Sequence, residues 1–199
     1  MRSKTFLAVF CALILVGMQA YAGELQNGDF EAGLEPWEFY INEPDAQADV
    51  QLVDTGGIIG SKCVHANITT TAGTNWHVGV TQDNVTVMAG QTYTAAVFLK
   101  ADKARLASLE IKRSPSEGGW EGITAADFNI TTEWAEYYAT FVPAKDYPDT
   151  AFLGIWIAQE TGQVWVDGVR LSQGEYSAAA AVKPVAKAAT TWGRLKAAY

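Results

Sequence analysis

The chain has 199 residues, with 14 Lys and Arg against 22 Asp and Glu and a formal net charge of −8. A surface this acidic repels a phosphate backbone, which excludes nucleic acid as a partner. Of two cysteines, Cys11 lies in an N-terminal leader and Cys63 stands alone after it, so the mature fold has no internal disulfide to rely on.

Residues 1–22 read as a signal peptide. Arg2 and Lys4 precede an apolar run from Phe6 to Met18, and Ala20-Tyr21-Ala22 supplies a small-residue cleavage pattern. The apolar run is shorter than the roughly 20 residues that span a bilayer, and no later segment is apolar enough, so no transmembrane span is predicted. Loss of Arg2 and Lys4 leaves 12 cations against 22 acids in the exported chain, a charge of −10. The expected location is secreted, extracellular or in the cell envelope.

Residues 23–176 have the size of one ordinary domain, large enough to bury a core without covalent staples. Alternating runs predict strands at Ala48 to Val53, Cys63 to Asn67, His77 to Gln82, Thr92 to Lys100, Leu106 to Lys112, Ala135 to Val142 and Gln163 to Leu171. In the run from Thr92, the residues Tyr93, Ala95, Val97 and Leu99 share one side. Leu153, Ile155 and Ile157 do the same later, which puts Trp156 on the opposite face. A short turn is expected at Ala101 to Arg105, and Cys63 reads as a small buried hydrophobe. Short strands separated by Gly, Asp, Asn and Pro clusters, with no long helical period, mean an all-β sandwich or barrel.

The ordered set of local motifs is more specific. Asn27-Gly28-Asp29-Phe30-Glu31 followed by Trp37, Gly60-Ser61-Lys62 at the entry to a strand, Ala89-Gly90-Gln91-Thr92-Tyr93-Thr94, Thr131-Thr132-Glu133-Trp134 and Trp165-Val166-Asp167-Gly168-Val169-Arg170-Leu171 span Leu25 to Ser172. In this order the chain resembles carbohydrate-binding modules of the CenC type, the superfamily that includes families 4, 9 and 22. The resemblance implies a galactose-binding-domain-like jelly roll of two antiparallel sheets. One concave face would bind a polysaccharide of β-glucan or xylan type, usually as a glycoside hydrolase accessory.

A metal is expected on two grounds. Asp29, Glu31 and Asp167 are placed by the strand reading on first and last strands, where clustered carboxylates repel and a hard cation with oxygen ligands relieves the repulsion. The resemblance implies one structural Ca2+ held by the Asp29 carbonyl, Glu31, the Lys62 carbonyl and Asp167. The competing reading has Asp29 and Asp167 capping turns beside glycines.

Sugar rings present apolar C–H faces, so stacking aromatics are the candidate binding residues. Trp76 and Trp120 match the resemblance's positions for ligand-stacking aromatics, and Trp156 is the third candidate by strand parity. Trp76 shares parity with Val78 and Val80, so a regular strand would instead turn it into the core. Trp120 has a competing role as a loop anchor. His77, Glu121, Thr81 and Gln159 are candidate hydroxyl partners, and Gly79 stands where some similar modules carry a carboxylate. Trp134, Trp165, Tyr93 and Tyr138 read as packing residues.

The acids form no motif that sets two carboxylates in one cleft, and no Ser, His and Asp order suggests a hydrolase triad, so the module is read as non-catalytic. A structural or protein-binding role for the same sandwich is the alternative. Residues 177–199 read as an Ala- and Lys-rich linker ending in Trp192-Gly193-Arg194-Leu195-Lys196. Trp192, Leu195 and Tyr199 predict a short amphipathic helix for a cell-envelope or partner contact.

Overall fold

The computed structural model describes residues 25–178, so the leader and nearly all of the linker and C-terminal segment lie outside the described residues. Ten strands follow in chain order: β1 (Glu38–Ile41), β2 (Ala46–Val53), β3 (Cys63–Thr71), β4 (Val78–Val87), β5 (Tyr93–Ala101), β6 (Arg105–Arg113), β7 (Gly122–Ile130), β8 (Ala135–Phe141), β9 (Tyr147–Trp156) and β10 (Gly162–Gln173). They form two antiparallel five-stranded sheets, β1-β4-β9-β6-β7 and β2-β3-β10-β5-β8. This is the expected jelly-roll sandwich.

The period-2 alternation of the apolar residues explains the layering. Val78 and Val80 of β4, Leu109 and Ile111 of β6, and Leu153 and Ile155 of β9 meet Val64 and Ala66 of β3, Val97 and Leu99 of β5, and Val164 and Val166 of β10 in one core. Each Val, Leu or Ile among them, fully buried, contributes about 1.5–3 kcal/mol. Cys63 is buried with them, and burial pushes its thiol up to about 11, consistent with a small hydrophobe.

Two strands were not expected. β1 is short, and β7 (Gly122–Ile130) is an edge strand whose side chains, apart from Ile130, are exposed or half-buried, so its sequence carries no clean alternation. Asp29 and Glu31 do not lie on a first strand. They sit in a turn ahead of β1, where Asn27 organises the chain by donating to the carbonyls of Gly33 and Glu35 and accepting from Ala32 N–H.

That turn docks on the last strand. Val169 N–H donates to the Gly28 carbonyl at 2.9 Å, and a Cβ at Gly28 would fall 1.8 Å from the Val169 carbonyl oxygen, so only glycine fits there. Phe30 and Trp37 cover the junction at 5.5 Å, and the Trp37 indole N–H reaches the carbonyls of Gln26 and Asn27.

Tyr93 packs against the core, its ring stacked 5.8 Å from that of the buried Phe141, whereas Trp134, Trp165 and Tyr138 pack outside it. Trp165 lies half-buried on the outer face of the second sheet, and Tyr138 is exposed there and stacks on Tyr176 at 3.7 Å. Tyr176 also donates to Glu136, which Arg170 pairs at 2.7 Å, so the end of the sandwich is pinned at Tyr176.

Arg105 shows where a charge is buried for structure. Its guanidinium has no exposed side-chain surface and donates to the Glu160 and Thr161 carbonyls, with Asp102 beside it. Burial lowers its pKa, opposed by Asp102 and Glu160. Arg105→Leu strands two carbonyls and is expected to lower unfolding free energy by about 3 kcal/mol in urea denaturation. Lys103→Ala, which loses only an exposed pair with Glu160, is expected to change it by less than about 1 kcal/mol.

Candidate functional site

The registers of the first sheet set out its outer face in rows. One row runs Tyr40, Gly79, Trp156, Ser108, Asp127, and the next runs Glu38, Thr81, Gly154, Glu110, Ala125. Phe152 and Lys112 pair in a third. Between these rows and two loops lies a groove of about 690 Å3, lined by Glu38, Tyr40, Trp76, Thr81, Asp83, Lys112, Pro115, Trp120, Phe152 and Trp156.

Trp156 forms its floor. A Cβ at Gly79 would fall 2.3 Å from the indole Cε3, and one at Gly154 would fall 2.6 Å from Cζ2, so the ring lies against the backbone of two adjacent strands. Any side chain at Gly79 would lift it, which explains why no carboxylate stands at this position. Only 5 % of Trp156 is exposed. Tyr40 and Phe152 meet it edge-on at 5.9 and 6.3 Å.

From this floor the aromatic surface continues both ways. Tyr40 leads to Trp76 at 6.4 Å, and Phe152 leads to Trp120 at 5.7 Å. Trp76 is 46 % exposed and Trp120 62 %. Trp76 escapes the inward parity of Val78 and Val80 because a 3₁₀ turn, Asn75–His77, precedes β4 and breaks the alternation. Trp120 follows Gly118, which adopts φ 92°, and Gly119, and neither packs against a neighbour that would fold the loop back.

The same 3₁₀ turn sends His77 inward. It is 5 % exposed, lies 4.4 Å from Trp76 edge-on and is absent from the groove lining, so burial removes it as a ready hydroxyl partner. Glu121 is exposed beside Trp120 but turns to Lys145 at 2.7 Å, and that bond lowers its pKa. Of the polar candidates, Thr81 lines the groove and Gln159 does not.

Tyr40, Phe152, Glu38, Asp83 and Lys112 join the site without having been anticipated. Phe152 shares parity with Trp156 and Gly154, which was a readable signal, whereas Tyr40 and Glu38 depend on β1. Asp83 has a raised pKa, chiefly from burial and then from Glu38.

Trp165 on the second sheet offers no such platform. His65 stacks on it at 4.9 Å and the Lys100 ammonium lies 4.8 Å from its centroid, so other side chains already occupy its surface.

Of the expected calcium ligands, Asp167 and the Lys62 carbonyl meet elsewhere, near where the opening turn docks on β10. Asp167 is fully buried; its Oδ2 accepts from Ile58 and Ile59 N–H and its Oδ1 from Gly168 N–H. Burial pushes its carboxyl up to about 6, the three N–H bonds oppose this, and the charge of Asp29 adds to the rise. A point at Gly57 lies 2.2 Å from the Lys62 carbonyl oxygen and 3.0 Å from Asp167 Oδ2, so these oxygens converge. Glu31 Oε1 accepts from Ser61 and Lys62 N–H, which lowers its pKa. Side chains alone do not build a metal cluster: among the described residues no three His, Cys, Asp or Glu side chains are placed to hold an ion. Carbonyls would have to complete the set, and the all-oxygen donors suit a hard cation.

A jelly-roll sandwich with an aromatic groove across one sheet defines a class of ligand-binding β-sandwich. The family model described as carbohydrate binding domain matches residues 23–163, and the chain belongs to that family. Solved structures share the fold. The CBM4 module is 20 % identical at a TM-score of 0.60, over 74 % of this chain and 98 % of that one. TmCBM61, in complex with β-1,4-galactotriose, is 15 % identical at 0.54, over 76 % and 99 %. A xylan-binding domain from CBM 22 is 15 % identical at 0.54, over 79 % and 99 %. No curated protein matches the chain. Among the described residues no helix is long and apolar enough to cross a membrane.

Gly79→Ala tests the floor. It is expected to lower stability by about 2 kcal/mol and to shift tryptophan emission to the red as the indole leaves its slot. Thermal melts and fluorescence check this, and an unchanged melt would mean the ring has another place to rest.

Proposed function

We propose that this protein is an exported, non-catalytic carbohydrate-binding module that holds a polysaccharide chain of β-glucan or xylan type in the groove over Trp156. The observation that carries the reading is the unbroken aromatic run Trp76, Tyr40, Trp156, Phe152, Trp120, with Thr81, Glu38, Asp83 and Lys112 beside it. Apolar ring faces stack on the C–H surfaces of sugars while the polar groups bond hydroxyls. Family membership supports a glycan as the ligand class. The xylan-binding relative supports a β-linked chain, and the relative holding β-1,4-galactotriose shares the scaffold with a different sugar. Export rests on Arg2, Lys4, the apolar run and Ala20-Tyr21-Ala22. The C-terminal segment Trp192 to Lys196 is the candidate cell-envelope contact.

The reading includes one structural Ca2+, held by the Asp29 and Lys62 carbonyls and the carboxylates of Glu31 and Asp167. The cation would offset the repulsion between Asp29 and the buried Asp167 and take no part in binding chemistry.

Native affinity electrophoresis against soluble polysaccharides tests the groove. Retardation of the wild type by one glycan is expected, weakened about tenfold in Trp76→Ala and in Trp120→Ala, since exposed aromatic anchors dominate such interfaces. Tyr138→Ala, on the other sheet, is expected to bind as wild type. A wild type retarded by no polysaccharide would make the sandwich a structural or protein-binding one.

Calcium is tested by differential scanning calorimetry. After chelation, calcium at about 100 times its dissociation constant is expected to add about 2.7 kcal/mol, several degrees in melting temperature for a domain of this size. Asp167→Asn is expected to abolish the increment.

A further inference from the structure

The groove floor is one indole, and what holds it in place decides whether the floor exists before a ligand arrives. Gly79 and Gly154 give the ring a flat bed, and Tyr40 and Phe152 touch its edges. Such contacts are weakly directional: they confine the ring to its slot without selecting one orientation within it. A hydrogen bond is directional. The Trp156 indole N–H donates at 2.8 Å to Oε2 of Glu110, which stands on the adjacent strand β6 opposite Gly154 in register.

Glu110 is itself held. Lys112, two residues on along β6 and on the same face, brings its ammonium to 2.6 Å from the same Oε2. Both side chains are largely shielded, at 20 % and 26 % exposed, so the pair is less screened than one in open solvent. Lys112 thus spends its charge on Glu110 although it lines the groove.

We propose that Glu110 is the positioning residue of the groove: it fixes the Trp156 indole flat and in one rotamer, with Lys112 orienting the carboxylate, so that the stacking floor is preformed. The inference rests on the reading that the groove takes a glycan. Preorganisation removes the ordering cost that a mobile ring would levy on binding. It also makes Glu110 matter to a ligand that it need not touch.

The indole N–H reports the claim without any ligand. In proton–nitrogen correlation spectra the Trp156 signal is identified by its loss in Trp156→Phe. Glu110→Ala is expected to move that signal and to speed its exchange with solvent, and to weaken binding of whichever of a soluble β-glucan and a soluble xylan the wild type holds by about tenfold. Glu110→Gln keeps an acceptor oxygen and is expected to retain the signal and bind within about threefold of wild type. Lys112→Met is expected to fall between them. All three variants should melt cooperatively, since the residues are partly exposed and outside the core.

An unmoved Trp156 signal in Glu110→Ala overturns the proposal. So does a moved signal with unchanged affinity, because a loose floor would then bind as well as a fixed one. A wild type that binds neither polysaccharide sinks the glycan reading of the groove, and the indole signal then decides by itself whether Glu110 holds the ring.

Discussion

The close approach of Gly28 to Val169 is the constraint on which the arrangement hangs. It lets the backbone ahead of the first strand bond to the last strand, and any side chain at Gly28 would prevent it. β10 lies at the centre of the second sheet, between β3 and β5, so whatever docks on it is tied to the whole sheet. Asp167, two residues before Val169, carries the tie further by taking the N–H groups of Ile58 and Ile59. Three separate segments are thereby held at one point: the opening turn, the loop before β3 and the last strand. A buried carboxylate is costly to place, and the three N–H donors around Asp167 are what make it tolerable.

The two outer faces show how the same residue type takes different roles from its neighbours. Trp156 has glycines at both positions beneath it and so lies flat on the sheet, at the bottom of the groove. Trp165 has His65 and Lys100 as register neighbours and is packed between their side chains. A flat aromatic bed with further rings beside it suits a pyranose face, whereas a ring wedged among long side chains stabilises the surface. The distinction lies in two missing side chains rather than in the tryptophans.

Much of the fold was legible in the chain. Strict alternation in Thr92 to Lys100 and in Leu153 to Ile157 placed β5 and β9, together with the outward direction of Trp156, because a strand with one face in the core must repeat every second residue. β1 and β7 escaped because they lie at sheet edges, where side chains stay partly in solvent and the apolar repeat fades. With β1 went Tyr40 and Glu38, and hence one wall of the groove. Trp76 and His77 were ambiguous for a different reason: a single 3₁₀ turn exchanges which of two neighbours faces inward, and parity counting has no access to it.

By itself the sequence determined an all-β sandwich with a buried apolar alternation, a glycine-bearing motif at each end and several aromatics outside the core. Those properties are local, set by backbone sterics and by the period of the strand. The tertiary structure alone decided which aromatics share a surface. Trp76, Tyr40, Trp156, Phe152 and Trp120 come from four separate stretches of chain, and only the strand order β1-β4-β9-β6 and its registers bring them side by side. Glu110 meets Trp156 for the same reason, since a contact between residues 46 positions apart is a property of sheet pairing and not of either segment.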